Sequence, residues 1–194
     1  MNNKSRTLTT AIISIMLMYS CASVVFEQSI PKEHEMISSF PQHYRGTFVD
    51  ENNDTLRILS TSFEYGNRDT SQTIMRKMLS AGDTELKEFK NYYILNIKDD
   101  STYWTVLPMQ LLDDELHVLD IDLAALRDSI HLDIPDVDKE QMLYERLQNI
   151  TNTKPIRNDK GEIEYYLIDP SKAEFDQLLK EGLYNKTMIF KKVQ

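Results

Sequence analysis

Hydrophobic residues fall along this chain in three different ways. From Leu8 to Tyr19 they form one predominantly apolar run. From residue 22 to 39 they keep no sustained period, and Pro31 and several serines interrupt them. From about residue 43 onward they alternate or recur at helical spacing. The first run spans about twelve residues, fewer than the roughly 20 a membrane-spanning helix needs.

Alternation with period two marks half-buried strands. "YRGTFVD" (44 to 50) sets Tyr44, Gly46 and Phe48 against Arg45, Thr47 and Val49, and the polar tip Glu51-Asn52-Asn53-Asp54 leads into "TLRILSTSFEY" (55 to 65), read as its hairpin partner. In that partner the apolar parity switches at Ile58-Leu59, which predicts a bulge or a strand buried on both faces. Further strands are expected at 71 to 79, 91 to 98, 102 to 109 and 116 to 121, the last three joined by the short polar connections Asp99-Asp100-Ser101 and Asp113-Asp114-Glu115. Pro108 lacks a ladder donor, so its strand is expected to end there or lie at an edge.

Helical spacing appears twice. Leu143, Tyr144, Leu147 and Ile150 predict a helix over roughly 137 to 150. In "DPSKAEFDQLLKEGLY", Ser171 and Glu174 form a capping box, Phe175, Leu178 and Leu179 make one apolar face, and Gly182 ends the helix. "RNDKGEIEYYLI" (157 to 168) reads as a turn into a strand, and "KTMIFKKV" (186 to 193) as a last strand returning to the sheet. The predicted class is mainly β with α (α+β): an antiparallel meander sheet or partly closed β-barrel with one or two packed helices, including a C-terminal helix.

Charge gives the first run a meaning. Lys4 and Arg6 precede it and no acidic residue occurs before Glu27, the profile of a secretory signal peptide. It ends at Ser20-Cys21, with the only cysteine of the chain. This resembles the lipobox of bacterial lipoproteins, although Met18 stands where leucine is usual and Tyr19 is bulky. The resemblance implies that Cys21 is lipidated, with palmitate among its acyl chains, and becomes the first mature residue. An uncleaved anchor helix with an incidental Cys21 is the competing account. The expected organisation is a signal peptide over 1–20, the lipidated cysteine and a tether over 21–39, and a single β-rich globular domain over 40–194. Fully extended, an 18-residue tether would reach about 60 Å.

The chain carries 22 basic and 31 acidic side chains. Without residues 1–20, which hold two basic and no acidic ones, the balance is 20 to 31, a net charge of −11. That argues against nucleic acid and against electrostatic adhesion to anionic lipid. Attachment to the membrane is expected through the lipid alone.

Candidate chemistry is sparse. There is no G-x-S-x-G elbow, no phosphate-cradling glycine loop and no C-x-x-C pair, and five glycines exclude dinucleotide and P-loop sites. His34-Glu35 begins an H-E-x-x-H pattern that Ser38 breaks. Asp50, Asn52 and Asp54 are spaced as in an EF-hand loop, but Thr55 and Thr61 replace its glycine and bidentate glutamate, so a hairpin tip is the better reading. Residues 113 to 138 hold nine acidic side chains and one basic, with His117 and His131 among them. Asp120 and Asp122 there are a possible cation pair, against the plainer reading of turn formers and helix caps. Tyr93, Tyr103, Trp104 and Tyr166 are possible ligand-facing aromatics, against the plainer reading of sheet packing. No cofactor and no metal are expected.

"YRGTF", "DTL", "NYYILNIKD" and the late helix followed by a strand are similar to phrases in Bacteroidota lipoproteins of unknown function, across about residues 40 to 193. That resemblance implies an address and no activity. The expected function is a lipid-anchored, non-enzymatic envelope protein that binds a protein, glycan or small apolar ligand. The alternative is an envelope hydrolase with a carboxylate site in 113–138. Glu27 as the first acid after Cys21, and Ala22 in place of an inner-membrane retention aspartate, imply an outer-membrane lipoprotein facing the periplasm.

Overall fold

The computed structural model of the chain describes residues 23–67, 72–98, 102–132 and 134–193. Among them the chain is mainly β with three helices. It opens with β1 (Ser23–Phe26) and then a meander of β2 (Gly46–Val49), β3 (Asp54–Ile58), β4 (Ser62–Asn67) and β5 (Gln72–Met78). A second run follows: β6 (Thr84–Phe89), β7 (Tyr92–Lys98), β8 (Trp104–Leu112) and β9 (Glu115–Asp120). Next come α1 (Leu123–Asp128), α2 (Asp136–Gln148), β10 (Thr153–Arg157), β11 (Ile163–Ile168), α3 (Lys172–Lys180) and β12 (Lys186–Val193). The last helix therefore precedes a final strand.

All strands join one sheet, in the order β10-β11-β1-β8-β9-β12-β2-β3-β4-β5, with β7 and then β6 branching from the other edge of β8. The sheet is not closed into a barrel: β5 and β6 follow one another, yet only the isolated bridge Ser80↔Thr84 joins the turn between them. Nor is it wholly antiparallel, because β1 runs parallel to β11.

The branch lets β7 and β8 be buried on both faces. Tyr92, Ile94, Trp104 and Val106 pack into one core with α1, α2, α3, β1 and β11. The alternate residues Tyr93, Leu95, Ile97, Leu107 and Met109 pack into a second core with Phe48, Leu56, Ile58, Phe63 and Phe190. Two apolar parities on one strand are what a central layer between two cores requires.

Several expectations are corrected by this arrangement. "TLRILSTSFEY" is two strands, β3 and β4, and the parity switch at Ile58-Leu59 marks the turn between them, where Leu59 N–H donates to Ser62 C=O at 2.8 Å. The strand at Pro108 neither ends there nor lies at the sheet's edge. On one side β8 pairs β7 along Trp104–Met109; on the other it meets β1 only at Trp104 and β9 only from Met109. Leu111 N–H donates to the Tyr44 hydroxyl on the β7 side. By alternation, the missing N–H of Pro108 faces the gap between β1 and β9, where no ladder donor is needed. In the same gap Val106 C=O accepts the Tyr184 hydroxyl at 3.3 Å.

The largest correction concerns the expected tether. Residues 23–40 are part of the fold. Phe26 and Ile30 are buried in the helix-side core, and Phe40 in the other. Between them the segment lies along the free edge of β6, where Ile37 N–H donates to Leu86 C=O at 2.7 Å and His34 Nδ1 meets Glu88 C=O at 2.6 Å. A buried lysine fastens it: Lys87 Nζ donates to Ser29 Oγ at 2.8 Å and to Pro31 C=O at 3.1 Å. An unpaired edge exposes backbone groups that must find partners, and this segment supplies them without regular period, which hides it from pattern reading.

Candidate functional site

The residues singled out in the sequence do not converge on one site. Cys21 lies outside the described residues. Trp104 and Tyr166 are buried core residues, with Tyr166 stacked on Tyr144 at 5.4 Å between centroids. Tyr93 and Tyr103 are half-buried and sit toward opposite ends of the β7–β8 pair, since Tyr93 pairs with Met109 and Tyr103 precedes Trp104, which pairs with Lys98. Tyr93 packs edge-on against Tyr44 at 4.9 Å, and burial, then the Glu88 charge, push its hydroxyl pKa up. The four aromatics form no common groove.

The acidic segment is similarly divided among local tasks. Asp113 and Asp114 both take positive φ, 47° and 65°, as a two-residue hairpin turn requires. Glu115 pairs with Lys191 at 3.3 Å. Asp122 caps α1 by accepting from Ala125 N–H at 3.0 Å, and its other oxygen meets Lys186 at 3.6 Å. Asp120 accepts from Ile121 N–H at 2.8 Å, and burial raises its pKa despite that bond and the Lys186 charge. The Asp120–Asp122 pair thus has a lysine and backbone N–H groups for partners. Among the described residues no three His, Cys, Asp or Glu side chains gather as metal ligands. At the β2–β3 tip, Asp50 Oδ1 accepts from Asn52 and Asp54 N–H, and Tyr65 donates to Asp54 at 2.8 Å. Burial and that bond push Tyr65 up to about 12.

Ser29 beside Lys87 has the look of a nucleophile and its base. It is not built as one. Ser29 Oγ donates to Glu85 at 2.7 Å, and the Lys87 ammonium is already donating to Ser29 Oγ and to the Pro31 carbonyl. A base for Ser29 would have to accept where Lys87 donates.

A different place offers unused binding groups. β12 is eight residues long, but β2 pairs with it only along Lys191–Val193 before the chain turns at Asp50. Along Lys186–Phe190 the strand keeps its β9 ladder on one side and borders a cleft of about 710 Å3 on the other. Val49 and the hairpin tip Asp50-Glu51-Asn52 form one wall, and Thr187, Met188 and Ile189 the other. Lys192 N–H donates toward β9, to Asp114 C=O at 3.0 Å. Alternation therefore aims the N–H and C=O of Thr187 and Ile189 into the cleft. Its apolar contacts are Val49, Met188 and Ile189, the last 41% exposed. Lys191 and Lys186 are neutralised by Glu115 and Asp122, which leaves the Asp50-Glu51 tip as the acidic end.

Sequence reading missed this cleft. In the sequence the two strands read as nearly equal, 44 to 50 against 186 to 193, and which strands neighbour each other is written in neither. No protein-family model, curated protein or solved structure matches the chain.

Proposed function

We propose that this chain is a lipid-anchored, non-enzymatic envelope protein whose cleft beside β12 takes an extended polypeptide segment by strand addition. The observation that carries the binding half is the open edge at Thr187–Ile189. Main-chain groups aimed into a cleft with alternating apolar contacts suit strand addition, in which backbone hydrogen bonds supply affinity and pockets supply specificity. The acidic tip at Asp50-Glu51 favours a segment with a basic side chain at that end. Display of randomised seven-residue peptides against the domain tests it. The wild type should enrich basic-apolar sequences. Ile189→Pro, which removes an edge donor while leaving the β9 ladder, should lose them, and Glu51→Lys should shift the selection away from basic residues. Recovery of the same peptides from all three proteins would overturn the reading.

The anchor half rests on Cys21 at the end of a short apolar run behind Lys4 and Arg6. Cys21→Ser should accumulate an unprocessed precursor or a protein that no longer partitions into detergent. For placement at the outer membrane facing the periplasm, protease should spare the domain in intact cells and remove it once that membrane is permeabilised.

A further inference from the structure

We infer that the domain sits directly on the bilayer, with the outer face of β10–β11–β1 against phospholipid headgroups; this rests on the proposed lipid at Cys21. Because residues 23–40 are built into the fold, no long tether separates lipid from domain. Only Ala22 lies between Cys21 and the first residue of β1, a reach of about 7 Å. Whatever surrounds Ser23 is therefore held at the headgroup level.

The surroundings of Ser23 are suited to that place. Val24, Phe26, Tyr166 and Ile168 turn inward to the helix-side core. The alternate residues occupy the opposite face in two cross-strand rows, Ser23–Tyr165–Ile156 and Val25–Leu167–Lys154. Val25, Ile156 and Tyr165 stay half-buried and belong to neither core. The ring of Tyr165 meets that of Tyr103, also half-buried, edge-on at 5.7 Å. Lys154 is exposed at the rim of this face, whereas the bulge after Ile156 pairs Arg157 with Ile163 on the helix side. Apolar side chains, amphipathic tyrosines and a flanking lysine are groups that settle at a membrane–water interface. The chain as a whole is acidic at −9, so this patch does not follow from composition. The acyl chains supply the binding, and the patch sets the orientation.

The test uses the full lipidated chain in vesicles of phosphatidylethanolamine and phosphatidylglycerol that contain nitroxide-bearing lipid. In the thioether the Cys21 thiol is blocked, so Lys154→Cys, Ile156→Cys and Asn52→Cys each carry one reactive thiol for a fluorophore. Asn52 is in the β2–β3 turn, and β2 is six strands from β10 in the sheet order. Labels at 154 and 156 should lose fluorescence to the nitroxide lipid while the label at 52 keeps it. Equal quenching at all three sites on bound protein would overturn the orientation and leave the anchor standing. Failure to bind vesicles, with Cys21 open to the label, would overturn anchor and orientation together. Shielding of 154 and 156 in a detergent-solubilised dimer would assign the face to a second copy instead, and also overturn it.

Discussion

Ile30 and Asn96, 66 residues apart, hold each other by both polar groups: Ile30 N–H donates to Asn96 Oδ1 at 2.7 Å, and Asn96 Nδ2 donates to Ile30 C=O at 2.9 Å. Both residues are fully buried. The side-chain amide thus stands in for one more strand, satisfying a stretch of backbone that lies against the sheet without joining it. Asn96→Ala would leave a buried N–H and a buried C=O unpartnered, at about 1–3 kcal/mol each. Denaturant midpoints should drop accordingly. An unchanged midpoint would show that water reaches Ile30.

Residues 27–40 contribute to stability as core, which a tether would not. Ile30→Ala and Phe40→Ala anchor opposite ends of the segment in different cores and should each cost about 2–5 kcal/mol. A version of the domain beginning at residue 41 should fail to give a cooperative unfolding transition. If it unfolds with the full-length midpoint, the segment is an accessory.

In α3, Leu178 is fully buried, and Ser171 with Glu174 forms the complete capping box, Ser171 N–H donating to the Glu174 carboxylate at 2.6 Å. Leu178→Ala should cost about 2–5 kcal/mol. Ser171→Ala should cost about 0.5–2 kcal/mol, toward the low end because its hydroxyl accepts from Glu174 N–H at a long 3.4 Å. Equal losses would mean that the helix is held by its cap more than by its face.

Two half-buried carboxyls should bend the pH profile in opposite senses. Burial raises Glu85, but Gly82 N–H, the Ser29 hydroxyl and Lys87 outweigh it, so its pKa lies below the ordinary 4.5. Its stabilisation is complete above 4.5 and is lost as pH falls through the depressed value. Glu85→Gln should flatten the acid-side decline in unfolding midpoint. Asp120 is raised above the ordinary 3.8 chiefly by burial, so the folded state favours its neutral form, an advantage present below 3.8 and lost as pH rises. Asp120→Asn keeps the acceptor for Ile121 N–H and should raise the midpoint at pH 7, with the gain vanishing below 3.8. A lower midpoint at pH 7 would mean that attraction to the Lys186 charge outweighs burial.

Elements with a local cause are legible in the chain. The α3 cap and its apolar face, the strands at 92–98, 115–120 and 186–193, and the polar turns at Asp50–Asn53 and Asp113-Asp114 all rest on residues within a few positions of one another. The short strand β6 and the helix α1 carried weaker patterns and went unread, as did β10, where Pro155 interrupts the run. The remaining features depend on contacts between distant segments. That residues 23–40 are core depends on the free edge of β6 and on Asn96, partners about 50 to 66 positions away in sequence. That Pro108 can sit inside a strand depends on β8 changing neighbours beside it. That β12 borders a cleft depends on β2 being its neighbour and being shorter. Backbone groups must be satisfied wherever they are buried, but which segment satisfies them is set by strand order, and strand order leaves no periodic trace in the chain.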